Sequence, residues 1–235
     1  MKNPFLGLKE RYQKARARRL LIAEFSKRHD AIRIRSAGEI DTFITGRAYL
    51  YDDEVRMLAH YSSTAVDNIV EIGSAFGASS SILLAHCPPT ARVHSIDPFV
   101  QDSMEPFRAT EEQCARNVAS VLQAVGRLDA MERWHRRMDF SFNVATNWSD
   151  PIDLIFIDGD HRYEMVKRDF DDWVQWVKVG GLLMLHDSRK REGSAPERYD
   201  MGWDGPTQLA TELKADTRLS QIDSASSLTV FRKNA

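Results

Sequence analysis

Cysteine is scarce in this chain. Cys87 and Cys114 are the two in 235 residues, and their spacing is not C-x-x-C. That argues against a disulfide scaffold and against a cysteine zinc site, and leaves both thiols as small buried side chains. Long apolar runs are missing as well. No stretch approaches the roughly 18–20 residues that span a bilayer. Residues 20–22 are too short an apolar run for a secretory signal, so the cytoplasm is the expected compartment. A strong charge of one sign is also absent: the net charge is -2, which gives no global electrostatic reason to expect a nucleic-acid partner.

What is present reads as an ordinary soluble globular protein, with 43% hydrophobic and 28% charged residues. The length suits one large domain with an extension. Charge is uneven, since residues 1–35 sum to +8 and the rest to -10. Residues 5–28 show an amphipathic, basic helical pattern through Phe5, Leu8, Tyr12, Leu21, Ile22 and Phe25. Such a helix packs on the domain or on a partner subunit, which allows a homodimer; an anionic membrane surface or an acidic partner are the other readings. The chain divides into a basic helical extension, 1–50, and a domain, 51–235.

From residue 52 or 53, a candidate N-cap, the pattern predicts a helix to about 61, then alternating strands and helices. Strands are expected at 69–72, 92–96, 133–138, 153–157, 182–185, 218–223 and 227–232. Helices are expected at 78–85, 110–125, 163–177 and 207–214, and Gly180-Gly181 is read as a turn into the fifth strand. Alternation of this kind implies a mostly parallel sheet covered on both faces. The last two strands are joined by a few residues and must pair antiparallel. The expected fold is therefore α/β: a Rossmann-like, doubly wound, seven-stranded sheet with a C-terminal antiparallel hairpin, plus the N-terminal helical extension.

The segment Glu71-Ile72-Gly73-Ser74-Ala75-Phe76-Gly77-Ala78-Ser79 carries the most information. It is a strand end, a glycine turn and a helix start. The turn fits neither G-x-G-x-x-G nor G-x-x-x-x-G-K-[ST]. A carboxylate beside it would repel a pyrophosphate and suits a cationic ligand rich in hydroxyls. Five acids fall at or near strand ends: Glu71, Asp97, Asp139, Asp158 and Asp187. In open α/β sheets that edge is where ligands bind. Each acid taken singly is also explained as a cap or a loop residue.

The pattern E-x-G-x-x-x-G-x-S resembles motif I of the class I S-adenosylmethionine-dependent methyltransferases. It is closest to the metal-dependent catechol and caffeoyl-CoA O-methyltransferases and to a bacterial group acting on sugars and secondary metabolites. The resemblance runs from about residue 50 onward and leaves out the basic helix. It implies that Glu71, Gly73, Phe76, Gly77 and Ser79 form the S-adenosylmethionine loop. It also gives Asp97 to the ribose hydroxyls and Asp139 to the neighbourhood of the adenine, with Asp158 at the edge of the cofactor site.

The segment Asp153-Leu154-Ile155-Phe156-Ile157-Asp158-Gly159-Asp160-His161 resembles the family's D-x-I-F-x-D-x-D-[KH] element. By that resemblance Asp158 binds a divalent cation and His161 stands where the general base belongs, a role suited to an imidazole at neutral pH. His161 packing at a helix entrance is the structural alternative. His186-Asp187-Ser188 departs from the family's Asp-Asn pair. Asp187 matches the Asp, and Ser188 takes the place of the Asn as a third candidate ligand. Mg²⁺ needs few protein oxygens, whereas a softer ion would recruit His186; His186 at the pocket floor is the plainer reading. The implied reaction moves the methyl group of S-adenosylmethionine to a hydroxyl of a small-molecule acceptor such as a sugar, glycoside or secondary metabolite. Residues 188–206, with Arg189, Lys190, Arg191, Tyr199, Trp203 and Asp204, are the expected acceptor cover, and 99–112 the other wall.

Two rival functions keep sequence support. Tyr163-x-x-x-Lys167 with Gly73 superficially resembles a short-chain dehydrogenase, and Ser188 leaves room for a catalytically silent module that binds the cofactor.

Overall fold

The computed structural model describes residues 50–100, 109–189 and 203–234. The basic helix expected at 5–28 lies outside them. Seven strands form one sheet: β1 (Asn68–Ile72), β2 (Arg92–Ile96), β3 (Trp134–Arg137), β4 (Ile152–Ile157), β5 (Val177–Leu185), β6 (Leu219–Ala225) and β7 (Leu228–Lys233). Their order is β3-β2-β1-β4-β5-β7-β6. The first five run parallel, and β7 pairs antiparallel with both β5 and β6. The helices are α1 (Asp52–Ser62), α2 (Ala78–His86), α3 (Glu111–Ala124), α4 (Ser141–Ala145), α5 (Tyr163–Trp173) and α6 (Asp204–Leu213).

The apolar strands feed two cores because side chains alternate faces with a period of two. Along β4 and β5, Leu154, Phe156, Leu182 and Met184 join Leu58, Leu83 and Val118 on one face. Ile155, Ile157, Leu183 and Leu185 join Phe170, Trp173 and Leu209 on the other. The Trp173 ring is fully buried against Trp148, 5.2 Å between centroids. Cys87 and Cys114 are buried free thiols.

Local chemistry moves several boundaries. The N-cap of α1 is Tyr51 rather than Asp52 or Asp53, and the Tyr51 N–H donates to the Glu54 carboxylate at 2.8 Å. The α5 helix stops at Trp173, and Val177 already belongs to β5. Gly180-Gly181 is not a turn before the strand. The strand runs through both glycines, with Val177 and Leu182 opposite Ile152 and Leu154, so the extra residues bulge out. Glycine suits the place because Gly180 sits at φ +82° and a Cβ on Gly181 would lie 2.9 Å from the Lys178 carbonyl. The short α4 was not expected, since five residues carry no helical period. At the amino edge of the sheet, Asp153 accepts from the N–H groups of Val66, Asp67 and Asn68 and pairs with Lys178. That acid of the D-x-I-F element therefore ties strands together, away from the carboxyl edge.

Asp169, buried on α5, takes the hydroxyl of Ser141. Burial pushes its carboxyl up to about 6, and Ser141 only partly offsets this. A raised carboxyl pKa favours the folded state below about pH 4 and loses that contribution as pH rises through about 6. Asp169→Asn keeps an acceptor for Ser141 and removes the loss. We expect it to stabilise the protein at pH 7.5 by on the order of 2 to 3 kcal/mol and to be near neutral at pH 4. Thermal denaturation at the two pH values checks this; equal effects at both would contradict the burial argument.

Candidate active site

Backbone register brings the strand-end residues into one row. Gly73 N–H donates to Ile96 O at 2.9 Å, Asp97 N–H to Arg137 O at 3.1 Å, Asp158 N–H to Ile72 O at 2.8 Å and His186 N–H to Ile157 O at 3.1 Å. Each residue is the first beyond its strand, so the sheet hydrogen bonding extends one step into the site.

The turn after β1 is shaped by two glycines at positive φ, Gly73 at +89° and Gly77 at +85°. A Cβ on Gly73 would lie 2.1 Å from the Asp158 carbonyl oxygen, so only glycine lets the turn close onto the end of β4. A Cβ on Gly77 would strike Val118 at 2.6 Å. Asp97 braces this turn: its carboxylate accepts from the N–H of Ser74 at 3.0 Å and Ala75 at 2.9 Å, and from Phe99 N–H at 2.8 Å. Phe76 is half-buried, and its carbonyl accepts from Asn117. Ser79 is buried in the first turn of α2.

Glu71 lies wholly beneath the turn. Ser80 and Ser74 donate to its Oε2 at 2.5 and 3.2 Å, while Oε1 has no hydrogen-bond partner among the described residues. Burial raises its pKa, and the surrounding serines, Ser79, Ser80, Ser95 and Ser74, work against that. Asp139 stays apart from this group. It is exposed and engaged with Phe140 N–H and the Asn143 amide.

The second cluster sits at the ends of β4 and β5. Ligating atoms of Asp158, His161 and Asp187 all lie within 4.8 Å of one another. His161 Nε2 is 3.2 Å from Asp187 Oδ2 and 3.8 Å from Asp158 Oδ1. Asp187 occupies the left-handed region, φ +50°, a conformation that Asp tolerates better than most side chains. Ser188 does not join. Its hydroxyl is buried, donating to the Leu185 carbonyl at 2.7 Å and lying 2.7 Å from the Thr229 hydroxyl. The two carboxylates suit a small divalent cation, with the imidazole beside them.

Electrostatics follow from this crowding. Burial disfavours a charge on His161, but the flanking Asp158 and Asp187 carboxylates outweigh it and lift its pKa to about 9. Asp158 is disfavoured by burial too, yet His186 and His161 hold it down at about 2. His186 donates from Nδ1 to Asp158 at 3.0 Å and from Nε2 to Glu54 at 3.2 Å. Its ring thus lies between two carboxylates, and its pKa is well above the usual value: burial opposes the charge, but Asp158, Asp187 and Glu54 prevail. Glu54 and Ser227 were not legible as site residues, because nothing distinguishes Glu54 from an ordinary first-turn helix acid. The Trp203 ring stacks on His161, centroids 4.8 Å apart and 5° from parallel. The backbone N–H of Trp203 donates to the Asp187 carbonyl at 2.9 Å. Gly205 lets α6 meet this turn, since a Cβ there would be 2.2 Å from His161 O. Lys190, Arg191 and Tyr199 lie outside the described residues, as does most of the 99–112 wall. Tyr163 donates to Glu212 and Lys167 pairs with Asp171, so the two do not form a dehydrogenase dyad.

A mostly parallel seven-stranded sheet with a terminal antiparallel hairpin, carrying a glycine turn and acids on its carboxyl edge, is the fold of the class I methyltransferases. Residues 70–188 match the family described as methyltransferase domain, and the chain belongs to that family. Among solved structures it is similar to the O-methyltransferase TomG of Streptomyces achromogenes, crystallised with SAM, at 16% identity, covering 79% of this chain and 82% of that one, TM-score 0.55. The O-methyltransferase of Bacillus cereus in complex with SAH is 17% identical, with 83% and 88% covered and a TM-score of 0.56. A methyltransferase of Geobacter sulfurreducens is 14% identical, with 80% and 81% covered and a TM-score of 0.55. A stretch of 118 residues is 26% identical to the uncharacterized protein R132 of Acanthamoeba polyphaga mimivirus; the chain spans about half the length of that curated relative. No helix among the described residues is long and apolar enough to cross a membrane.

The raised His161 pKa favours the folded state. That contribution is complete below about pH 6.5 and disappears as pH rises through about 9. His161→Gln should therefore lower Tm most at pH 6 and least at pH 9.5. A Tm difference independent of pH would show that the two carboxylates do not hold the proton.

Proposed function

We propose that this protein transfers the methyl group of S-adenosylmethionine to a hydroxyl oxygen of a small-molecule acceptor. The observation that carries this reading is the juxtaposition of the Gly73 turn and the Asp158–His161–Asp187 trio, which touch through the Gly73–Asp158 backbone contact. The SAM and SAH held by the similar Streptomyces and Bacillus enzymes support the choice of cofactor. Glu71, Gly73, Phe76, Gly77, Ser79 and Asp97 would hold the methionine and ribose parts. The orphaned Glu71 oxygen and the backbone exposed by two glycines fit a cationic, hydroxyl-bearing ligand. Asp139 is the weaker member of this set, and Asp158 borders it.

Bound S-adenosylmethionine would supply a methyl group already activated by a positive sulfur. The chain must then align the acceptor oxygen and remove its proton, and alignment alone is worth several kcal/mol. Nε2 of His161 is the atom we assign to that proton. A histidine of pKa about 9 is protonated at neutral pH, so it accepts a proton only once the negative charge around it is offset. A divalent cation held by Asp158 and Asp187 would provide that offset and lower the acceptor's own pKa. The Trp203 ring, 53% exposed with one face on His161, fixes the imidazole plane and offers an aromatic surface to a ring-bearing acceptor, sugar or secondary metabolite.

S-adenosylmethionine or its demethylated product should raise Tm; at 100 times Kd the stabilisation is about 2.7 kcal/mol. Asp97→Ala should abolish most of this shift, and an undiminished shift would overturn the cofactor site. Added Mg²⁺ or Mn²⁺ should lower the NMR titration midpoint of the His161 ring by more than one unit, and a chelator should restore it. A midpoint indifferent to both cations would remove the metal from the scheme.

A further inference from the structure

Glu54 is fully buried on α1, outside the family-matched residues 70–188. Burying a carboxylate costs several kcal/mol unless it is well paired, and this one is crowded with partners. Oε1 accepts from Ser227 N–H and Ser227 Oγ, both at 2.7 Å; Oε2 accepts from Tyr51 N–H at 2.8 Å and faces His186 Nε2 at 3.2 Å. The other ring nitrogen of His186 bonds Asp158 Oδ1 at 3.0 Å. Carboxylates only accept, so a bond at each nitrogen needs an N–H at each.

We infer that Glu54 is a positioning residue for the reaction centre: through His186 it fixes the orientation of the Asp158 carboxylate. The β6–β7 turn takes part by holding Glu54 through Ser227. The function given to Asp158 rests on the reading proposed above; the brace itself does not. His186 is thereby committed to two acids and is not a ligand in waiting. A chain that needed Glu54 only as a helix cap would have no reason to set the capping oxygen against His186 and the other against Ser227. Hydrogen-bonded partners of ligating carboxylates tune metal affinity by about 10–100-fold.

The test compares wild type with Glu54→Gln and His186→Asn, and with their combination. Proton NMR should show two slowly exchanging imidazole N–H signals from His186 in the wild type, and Glu54→Gln should remove or shift the Nε2–H. Mn²⁺ titration by electron paramagnetic resonance should show at least about tenfold weaker binding in each single variant and no further loss in the double. The Tm increase given by S-adenosylmethionine should be kept in all of them. An unchanged Nε2–H signal in Glu54→Gln overturns the brace, as do additive losses in the double variant. A parallel loss of the cofactor shift makes Glu54 a folding residue and overturns it too. If wild type binds no Mn²⁺, the metal reading fails, and the brace is judged on the N–H signals alone. If Glu54→Gln does not fold, Ser227→Ala replaces it, with a smaller shift of the same signal expected and no shift overturning the proposal.

Discussion

Three carboxylates and two imidazoles share a space at the carboxyl ends of β4 and β5, and their mutual neutralisation is the constraint on which the rest depends. Glu54, Asp158 and Asp187 surround His186 and His161. Burial alone would disfavour the charge on Asp158, and the two imidazoles beside it outweigh that cost. Each charged group makes the next tolerable. The same arrangement leaves an excess of negative charge around His161, which a proton or a cation can satisfy but not both at once. Structure and chemistry thus meet at one electrostatic condition.

The cofactor turn is bound to that condition by backbone. Gly73 rests against the Asp158 carbonyl, and Asp97 collects the N–H groups of Ser74 and Ala75. The turn therefore shares a wall with the charged cluster, so a ligand in one and a cation in the other would feel the same few peptide units.

Much of the architecture was legible because β1 and β4 are short, largely apolar runs with an acid at or just past the end, Asp97 follows β2, and α3 and α5 keep a 3.6-residue period. The last two strands were readable from the shortness of their connection. The β5 boundary was not, because a glycine pair signals a turn and a bulge equally well. Within the site, Asp158, His161 and Asp187 were found by pattern and meet in space. Sequence gives the order of residues and not their rotamers, so it could not show that the Ser188 hydroxyl lies against Thr229. Asp139 follows β3 by two residues, and its carboxylate accepts from the Asn143 amide of the unforeseen α4. Glu54 and Ser227 are separated by 173 positions, and no local signal relates two such residues.

The hydrogen bond from Trp203 N–H to the Asp187 carbonyl, 2.9 Å long, pins together the two ends of a fifteen-residue excursion. A pinch of this kind tolerates changes of length between its ends, since doubling a loop adds only about 0.6 kcal/mol. Upstream of the pinch, Asp187 remains fixed by β5; downstream, α6 remains fixed by Gly205 against the His161 turn. A different segment joined at the same two points would leave Asp187 and α6 where they stand.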